Sequence, residues 1–160
     1  MARGLRFSVI IATTGRDTLT RAVESARWAD ETIVIFNEWG SWGARAKNLG
    51  IEWASGSHIC FMDDDDCYTE DAGQLIKKAV RSRPTRIHVF SMSTVKAEAI
   101  ALGYIGLPMF VIPNRPEIGR FREGEYANDF YFIEETAQLQ GVPIVFHPDD
   151  CIALIRPEDE

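Results

Sequence analysis

The sequence is poor in cysteine and histidine, and the few it has are badly spaced for a cluster. Its three cysteines, Cys60, Cys67 and Cys151, form no CxxC pair. An odd number of widely separated thiols argues against a disulfide framework and points to reduced cysteines in a cytoplasmic setting. The three histidines, His58, His88 and His147, lack HxxxH spacing, which argues against a zinc site. His147 could in principle reach a metal, but it reads better as structural. No apolar run is long enough to span a membrane. Residues 7–12, which follow Arg3 and Arg6, are too short for the core of a signal peptide. Positive charge is also scarce: the net charge is −7, which argues against a protein that coats nucleic acid electrostatically. Internal repeats, low-complexity tracts and an interdomain linker are all missing.

What remains is an ordinary globular composition. The chain has 160 residues, 46% hydrophobic and 26% charged, which suits one domain over residues 1–160 with a sizeable core. Residues 7–12 (FSVIIA) and 32–36 (TIVIF) are apolar and β-branched, so both read as buried strands. Residues 58–62 and 86–92 give a third and a fourth. Helices fit between them. One runs from a cap at Asp17 or Thr18 to about residue 28, with Leu19, Ala22, Val23 and Ala26 on one face. The next spans 43–54 and stops at Gly56. A third is capped by Thr69 and ended by Pro84. Residues 96–106 fit helix and strand equally. Residues 109–112 read as a strand, 125–140 as a helix, and 144–147 and 151–155 as two short strands. Strand–helix alternation of this kind implies an α/β fold with a mostly parallel sheet covered on both faces.

Asp63, Asp64, Asp65 and Asp66 stand in a row at the tip of the third strand. Adjacent carboxylates repel, and some protonate unless a cation neutralises them. Hard divalent cations such as Mg²⁺ and Mn²⁺ take oxygen ligands and bridge carboxylates to phosphates. Ligands of parallel α/β sheets bind at the carboxyl ends of the strands. The aspartates share that edge with residues 13–16 and 37–42, so three loops converge on one cleft. An EF-hand fits poorly, since its glycine and later glutamate are missing.

Several stretches, in order, resemble the GT-A glycosyltransferases of the family 2 type. Residues 7–12 and the Thr/Arg loop behind them look like the family's opening strand and nucleotide-binding loop. Lys47-Asn48-Leu49-Gly50-Ile51 looks like its (A)RNxGI helix segment. Ala54-Ser55-Gly56 with residues 59–66 looks like AxGxxIxFLDxDD. Residues 118–123 (IGRFRE) look like the IGxFDE turn, and Asn128-Asp129 stands where the family has its ED pair. The matches run over residues 7–155. They imply a Rossmann-like central sheet with a small antiparallel C-terminal part, a nucleotide-diphosphate sugar as donor, a divalent metal (Mn or Mg) and inversion at the transferred sugar. The chain differs from the family in ending its second strand with Asn37-Glu38 and in keeping only the second acid of the ED pair. It is also short for the family, so acceptor-binding elements are missing or come from another subunit.

The resemblance assigns roles residue by residue. Asp63 and Asp65 match the DxD, with Asp63 toward the ribose and Asp65 on the metal. Asp66 adds a metal contact through water, and Asp64 falls on a variable, solvent-facing position. Asp129 is the candidate general base, with a dipole-stabilised first-turn acid as its structural alternative. Thr13, Thr14 and Arg16 are placed to contact the nucleotide, with a plain surface charge as the alternative for Arg16, and Asn37 and Glu38 can meet its base or ribose. Lys47 approaches the diphosphate or is simply solvated. Trp39 and Trp42 lie in a ligand-side loop, where an aromatic ring stacks on a base or sugar or else packs. Trp28 and Trp53 read as core or interface. Arg115, Arg120 and Arg122 can bind an anionic acceptor or the diphosphate, or be solvated beside neighbouring glutamates.

The acceptor hydroxyl can belong to a glycan, a small molecule or a modified base in phage-type DNA, and a homo-oligomer is compatible with the sequence. The rival readings are a GT-A-like nucleotidyltransferase, for which the loop at residues 13–16 is too sparse in glycine, and a non-catalytic sugar-nucleotide-binding module.

Overall fold

The computed structural model describes residues 4–37 and 42–158. Strand β1 (Phe7–Thr13) leads to helix α1 (Leu19–Ser25), β2 (Glu31–Phe36), α2 (Ala44–Trp53) and β3 (His58–Asp63). The two-residue strand β4 (Cys67–Tyr68) precedes α3 (Ala72–Ser82) and β5 (Ile87–Met92). A short 3₁₀ turn (Leu107–Met109), β6 (Phe110–Pro113), α4 (Asn128–Gln140) and β7 (Ile144–Leu154) complete the order. The strands form one sheet in the order β2-β1-β3-β6-β5-β7-β4. β2, β1, β3, β5 and β7 point one way, and β6 and β4 run against them. The expected mostly parallel α/β sheet is therefore present.

Side-chain alternation along the strands explains the two covered faces. Val9, Ile11, Cys60 and Met62 pack on one side with Ala22 and Ala26 of the α1 region and Ile76 and Val80 of α3. Ile10, Ile59 and Phe61 point to the other, against Ile51 of α2 and Phe132 and Ile133 of α4. The register puts Thr13 opposite Phe36 and Ala12 opposite Asp63. Three parallel strands thus end level, and their loops open on the same edge.

Several elements differ from the sequence reading. α1 stops at Ser25. α3 has Asp71, not Thr69, at its N-cap; the Thr69 hydroxyl donates to the Asp71 carboxylate instead, at 3.0 Å. Residues 96–106 are turns and bends. The two C-terminal strands are one, β7. Phe90 pairs with His147 and Ser91 with Cys151, so residues 148–150 bulge out. The Ser91 hydroxyl ties the bulge by donating to the Pro148 carbonyl at 2.8 Å. Trp28 is partly buried and packs against the core, edge-on to Phe7 and Tyr68, whereas Trp53 is exposed.

Gly73 sets how closely α3 approaches the chain after α1. A Cβ there would lie 2.5 Å from Trp28 Cβ, an atom that no rotamer change can move. Alanine favours a helix over glycine by about 1 kcal/mol, but overpacking at this distance costs about 3 kcal/mol. Gly73→Ala is therefore expected to lower the melting temperature, by about 4–8 °C. A circular-dichroism melt that is unchanged or raised would show that the helix yields freely.

Candidate active site

The level strand ends enclose a cavity of about 510 Å³. Thr13 and Thr14 reach it from the end of β1, Asn37 from β2, and Asp63, Asp64 and Asp65 from β3. Lys47 enters from the first turns of α2, Asn128 and Asp129 from the start of α4, and Arg156 from the chain just after β7. The fold thus brings together Thr13, Thr14, Arg16, Asn37, Lys47, Asp63, Asp65 and Asp129, all expected in the site, and adds Asp64 to them. Glu38 and Trp39 lie outside the described residues.

The four aspartates divide differently from expectation. Asp64 does not face solvent: it is 6% exposed, accepts a 2.7 Å bond from the Thr13 hydroxyl and lies 3.6 Å from Arg16. The Thr13 oxygen in turn accepts the Gly15 N–H at 2.9 Å. This pair staples the loop after β1 to the loop after β3. Asp66 is also turned away from the cavity, and its Oδ1 accepts the backbone N–H of Arg156 at 2.8 Å. Asp63 and Asp65, two positions apart, line the cavity together with Asp64. Asp65 Oδ2 meets two guanidiniums, Arg16 Nη1 at 2.8 Å and Arg156 Nε at 3.2 Å.

Burial governs the electrostatics. Asp63 and Asp129 open into the cavity, so each has some exposed surface, but both sit on the floor of a cleft. Desolvation pushes the Asp63 carboxyl up, Lys47 opposes the shift, and Asp65 and Asp64 add to it. Asp129 is pushed up to about 6 by desolvation, against the pull of Lys47 and with a further push from Asp63; a hydrogen bond from the Leu107 backbone also favours its charged form. Lys47 is 6% exposed, with Nζ 5.0 Å from the centre of the Phe121 ring. It acts electrostatically on both acids.

Asp66 is pushed up to about 7, chiefly by burial. A carboxyl raised in the folded state binds more protons there than in the unfolded chain, so stability falls as pH rises from about 4 to about 7. An asparagine amide in its place would still accept the Arg156 N–H without that cost. Asp66→Asn is expected to melt about 5 °C higher than the parent at pH 8 in a chelator, the gap closing near pH 4. Equal melting temperatures at both pH values would show that the acid carries no such penalty.

Two amide side chains set the loop that carries Asp129. Asn48 on α2 donates from Nδ2 to the Phe121 carbonyl and accepts the Phe121 N–H, both at 2.9 Å. Asn128 donates to the Arg122 carbonyl at 2.6 Å and accepts the Arg122 N–H at 2.7 Å. Only an amide can donate and accept in this way; a carboxylate only accepts. An ionised acid at position 128 could not make both bonds to Arg122.

Arg120 and Arg122 do not line the cavity. Arg120 faces Glu52 at 3.7 Å and Arg122 lies over the Tyr131 ring. Arg115 is outside it as well. His147 stacks on Phe90 and hydrogen-bonds His88 at 2.9 Å, the structural role expected of it. Trp42 does line the cavity, edge-on to Tyr126 with ring centres 5.7 Å apart. Tyr126 and Arg156 carry no recognisable signal in the sequence, since neither belongs to a motif or a periodic run.

Residues 4–147 match the model of glycosyl transferase family 2. The chain belongs to this family. No curated protein sequence matches it. Among solved structures it is similar to S. aureus TarS 1-349 in complex with UDP-GlcNAc, with a TM-score of 0.73 and 16% identity over 98% of this chain and 60% of that one. The UDP complex of the same protein gives 0.69 at 14% identity, over 94% and 60%. A longer TarS structure gives 0.72 at 12%, over 94% of this chain and 36% of that one. The chain thus spans 60% or less of the length of these TarS structures. At such identities the likeness establishes the GT-A fold. Among the described residues no helix is long and apolar enough to cross a membrane.

Proposed function

We propose that this family 2 domain transfers a sugar from a nucleoside-diphosphate donor to an acceptor hydroxyl, with inversion. The observation that carries the reading is one cavity holding Asp63 and Asp65 together with Asp129, with Lys47 acting on both Asp63 and Asp129. UDP and UDP-GlcNAc in the TarS complexes make a uridine donor the first to test.

In this reading Asp129 is the general base. Its carboxylate takes the proton of the acceptor hydroxyl as that oxygen bonds to the anomeric carbon. The bond from that carbon to the diphosphate oxygen breaks on the opposite face, and the diphosphate leaves with the electron pair. Lys47 and Arg16 offset the charge that develops on it. Among the described residues no three metal-ligating side chains converge. Asp63 and Asp65 nevertheless offer the oxygen-only donor set that Mg²⁺ or Mn²⁺ prefers, and such ions are commonly held by one or two carboxylates plus substrate phosphates. The two residues fit a cation completed by the donor, and it would supply Lewis-acid stabilisation of the leaving group. Asp65 would have to loosen its contacts with arginine to join.

Thermal shifts test the donor class. A nucleoside-diphosphate sugar at about a hundred times its Kd stabilises the fold by about 2.7 kcal/mol. Uridine donors are expected to raise the melting temperature, and more so with Mn²⁺ or Mg²⁺. If no nucleotide sugar of any base shifts it, with or without metal, the reading is wrong.

A further inference from the structure

The C-terminal segment holds an arginine over the donor cavity, and neither the family motifs nor the fold gives it a task. Beyond Leu154, the chain is pinned at successive points. The Ile155 N–H donates to Ser93 Oγ at 2.9 Å, the Arg156 N–H to Asp66 at 2.8 Å, and Arg21 Nη1 to the Pro157 carbonyl at 3.1 Å. Between these anchors Arg156 adopts a φ of 43°, a left-handed conformation that residues other than glycine take uncommonly. The turn brings its guanidinium over Asp65, while 80% of the side chain stays exposed. An ion pair this exposed contributes little stability, so it does not account for three anchors and an unfavourable backbone angle.

Asp65 meets Arg16 as well, so one carboxylate faces two guanidiniums. Each guanidinium has five N–H donors, and Asp65 engages one nitrogen of each. Arg16 also lies 3.6 Å from Asp64, so the two positive charges are matched by two carboxylates, but each guanidinium has more N–H donors than these contacts use. Their planar forks match phosphate oxygens bidentately.

We propose that Arg16 and Arg156 form a phosphate clamp for the diphosphate of the donor, and that Asp65 holds it in place until the donor binds. Arg156 then exchanges the carboxylate for a phosphate oxygen, which frees Asp65 toward the cavity. The clamp rests on the glycosyltransferase reading, and it makes the diphosphate, more than the base or sugar, the part of the donor that Arg156 reads. No bond is made or broken in the exchange.

Calorimetric titration of the full chain with uridine, UMP and UDP tests it, followed by the other nucleosides and their phosphates, each in Mg²⁺ and in chelator. The parent is expected to bind the diphosphate more tightly than the monophosphate. Arg156→Ala should weaken diphosphate binding by about 10–100-fold, as loss of a charge-assisted bidentate contact does. Its nucleoside affinity should stay within about twofold, and Arg156→Lys should recover only part of the loss. The fold should survive, because Arg156 binds Asp66 through its backbone N–H, which the substitution leaves in place. If Arg156→Ala binds the diphosphate as tightly as the parent, the clamp is wrong and the glycosyltransferase reading stands. If it binds more tightly, Arg156 is a plug that competes with the donor, which also overturns the clamp. If the parent binds no nucleoside diphosphate under either condition, both readings fall.

Discussion

Asp129→Asn is expected to lower kcat by about 10²–10⁴-fold, the usual worth of a positioned general base. Donor affinity should hardly change. Asparagine keeps the shape of the side chain and can still accept the Leu107 hydrogen bond, but it cannot take a proton from the acceptor. The parent should show an acid limb as well. Asp129 works only as the carboxylate and is pushed up to about 6, so activity should fall as pH drops through about 6. The limb should vanish from whatever activity Asp129→Asn retains. Steady-state rates over about pH 5–9, with donor affinity measured separately, check both points. If the variant keeps more than about a tenth of kcat, Asp129 is a first-turn acid held by the helix dipole and not the base.

Lys47→Met should have the next largest effect. The substitution keeps a long apolar stem against Phe121 and removes the charge that most opposes the upward push on Asp63 and Asp129. Taking one partner from a buried charge cluster costs about 3–5 kcal/mol. We expect kcat/KM for the donor to fall by about 10²–10³-fold on that scale. The acid limb should move up by about one pH unit as Asp129 loses the cation that most opposes its upward shift. Lys47→Arg should hold the limb nearer its original place. An unshifted limb with near-normal kcat/KM in Lys47→Met would reduce Lys47 to a packed stem with no electrostatic part in the site.

The sequence showed where the site lies better than it showed which atoms face it. Runs such as residues 7–12 and 58–62 are dense in β-branched and apolar residues, and their position as buried strands follows from that. The strand ends, and so the cavity edge, came with them. The orientation of Asp64 depends on the Thr13 hydroxyl, which comes from a different strand; spacing within residues 63–66 carries no trace of that partner. The partner of Asp66 is equally invisible in the sequence, a backbone N–H far along the chain. β4 escaped because two residues hold no periodicity, and they form a strand only by pairing with β7. Pro148, Asp149 and Asp150 look like a break between two strands, whereas the bulge absorbs them without ending the pairing in β7.

The paired amides at Asn48 and Asn128 bear on how a rate profile should be read. An acid at position 128 would gain and lose a proton, and the bonds to Arg122 would change with it. The loop that carries Asp129 would then have a titration of its own. An amide has no such equilibrium near neutrality. The four amide bonds that fix Phe121 and Arg122 therefore stay the same on both sides of neutrality, and an acid limb in the rate is expected to report the charge of the groups in the cavity more than a change in those bonds.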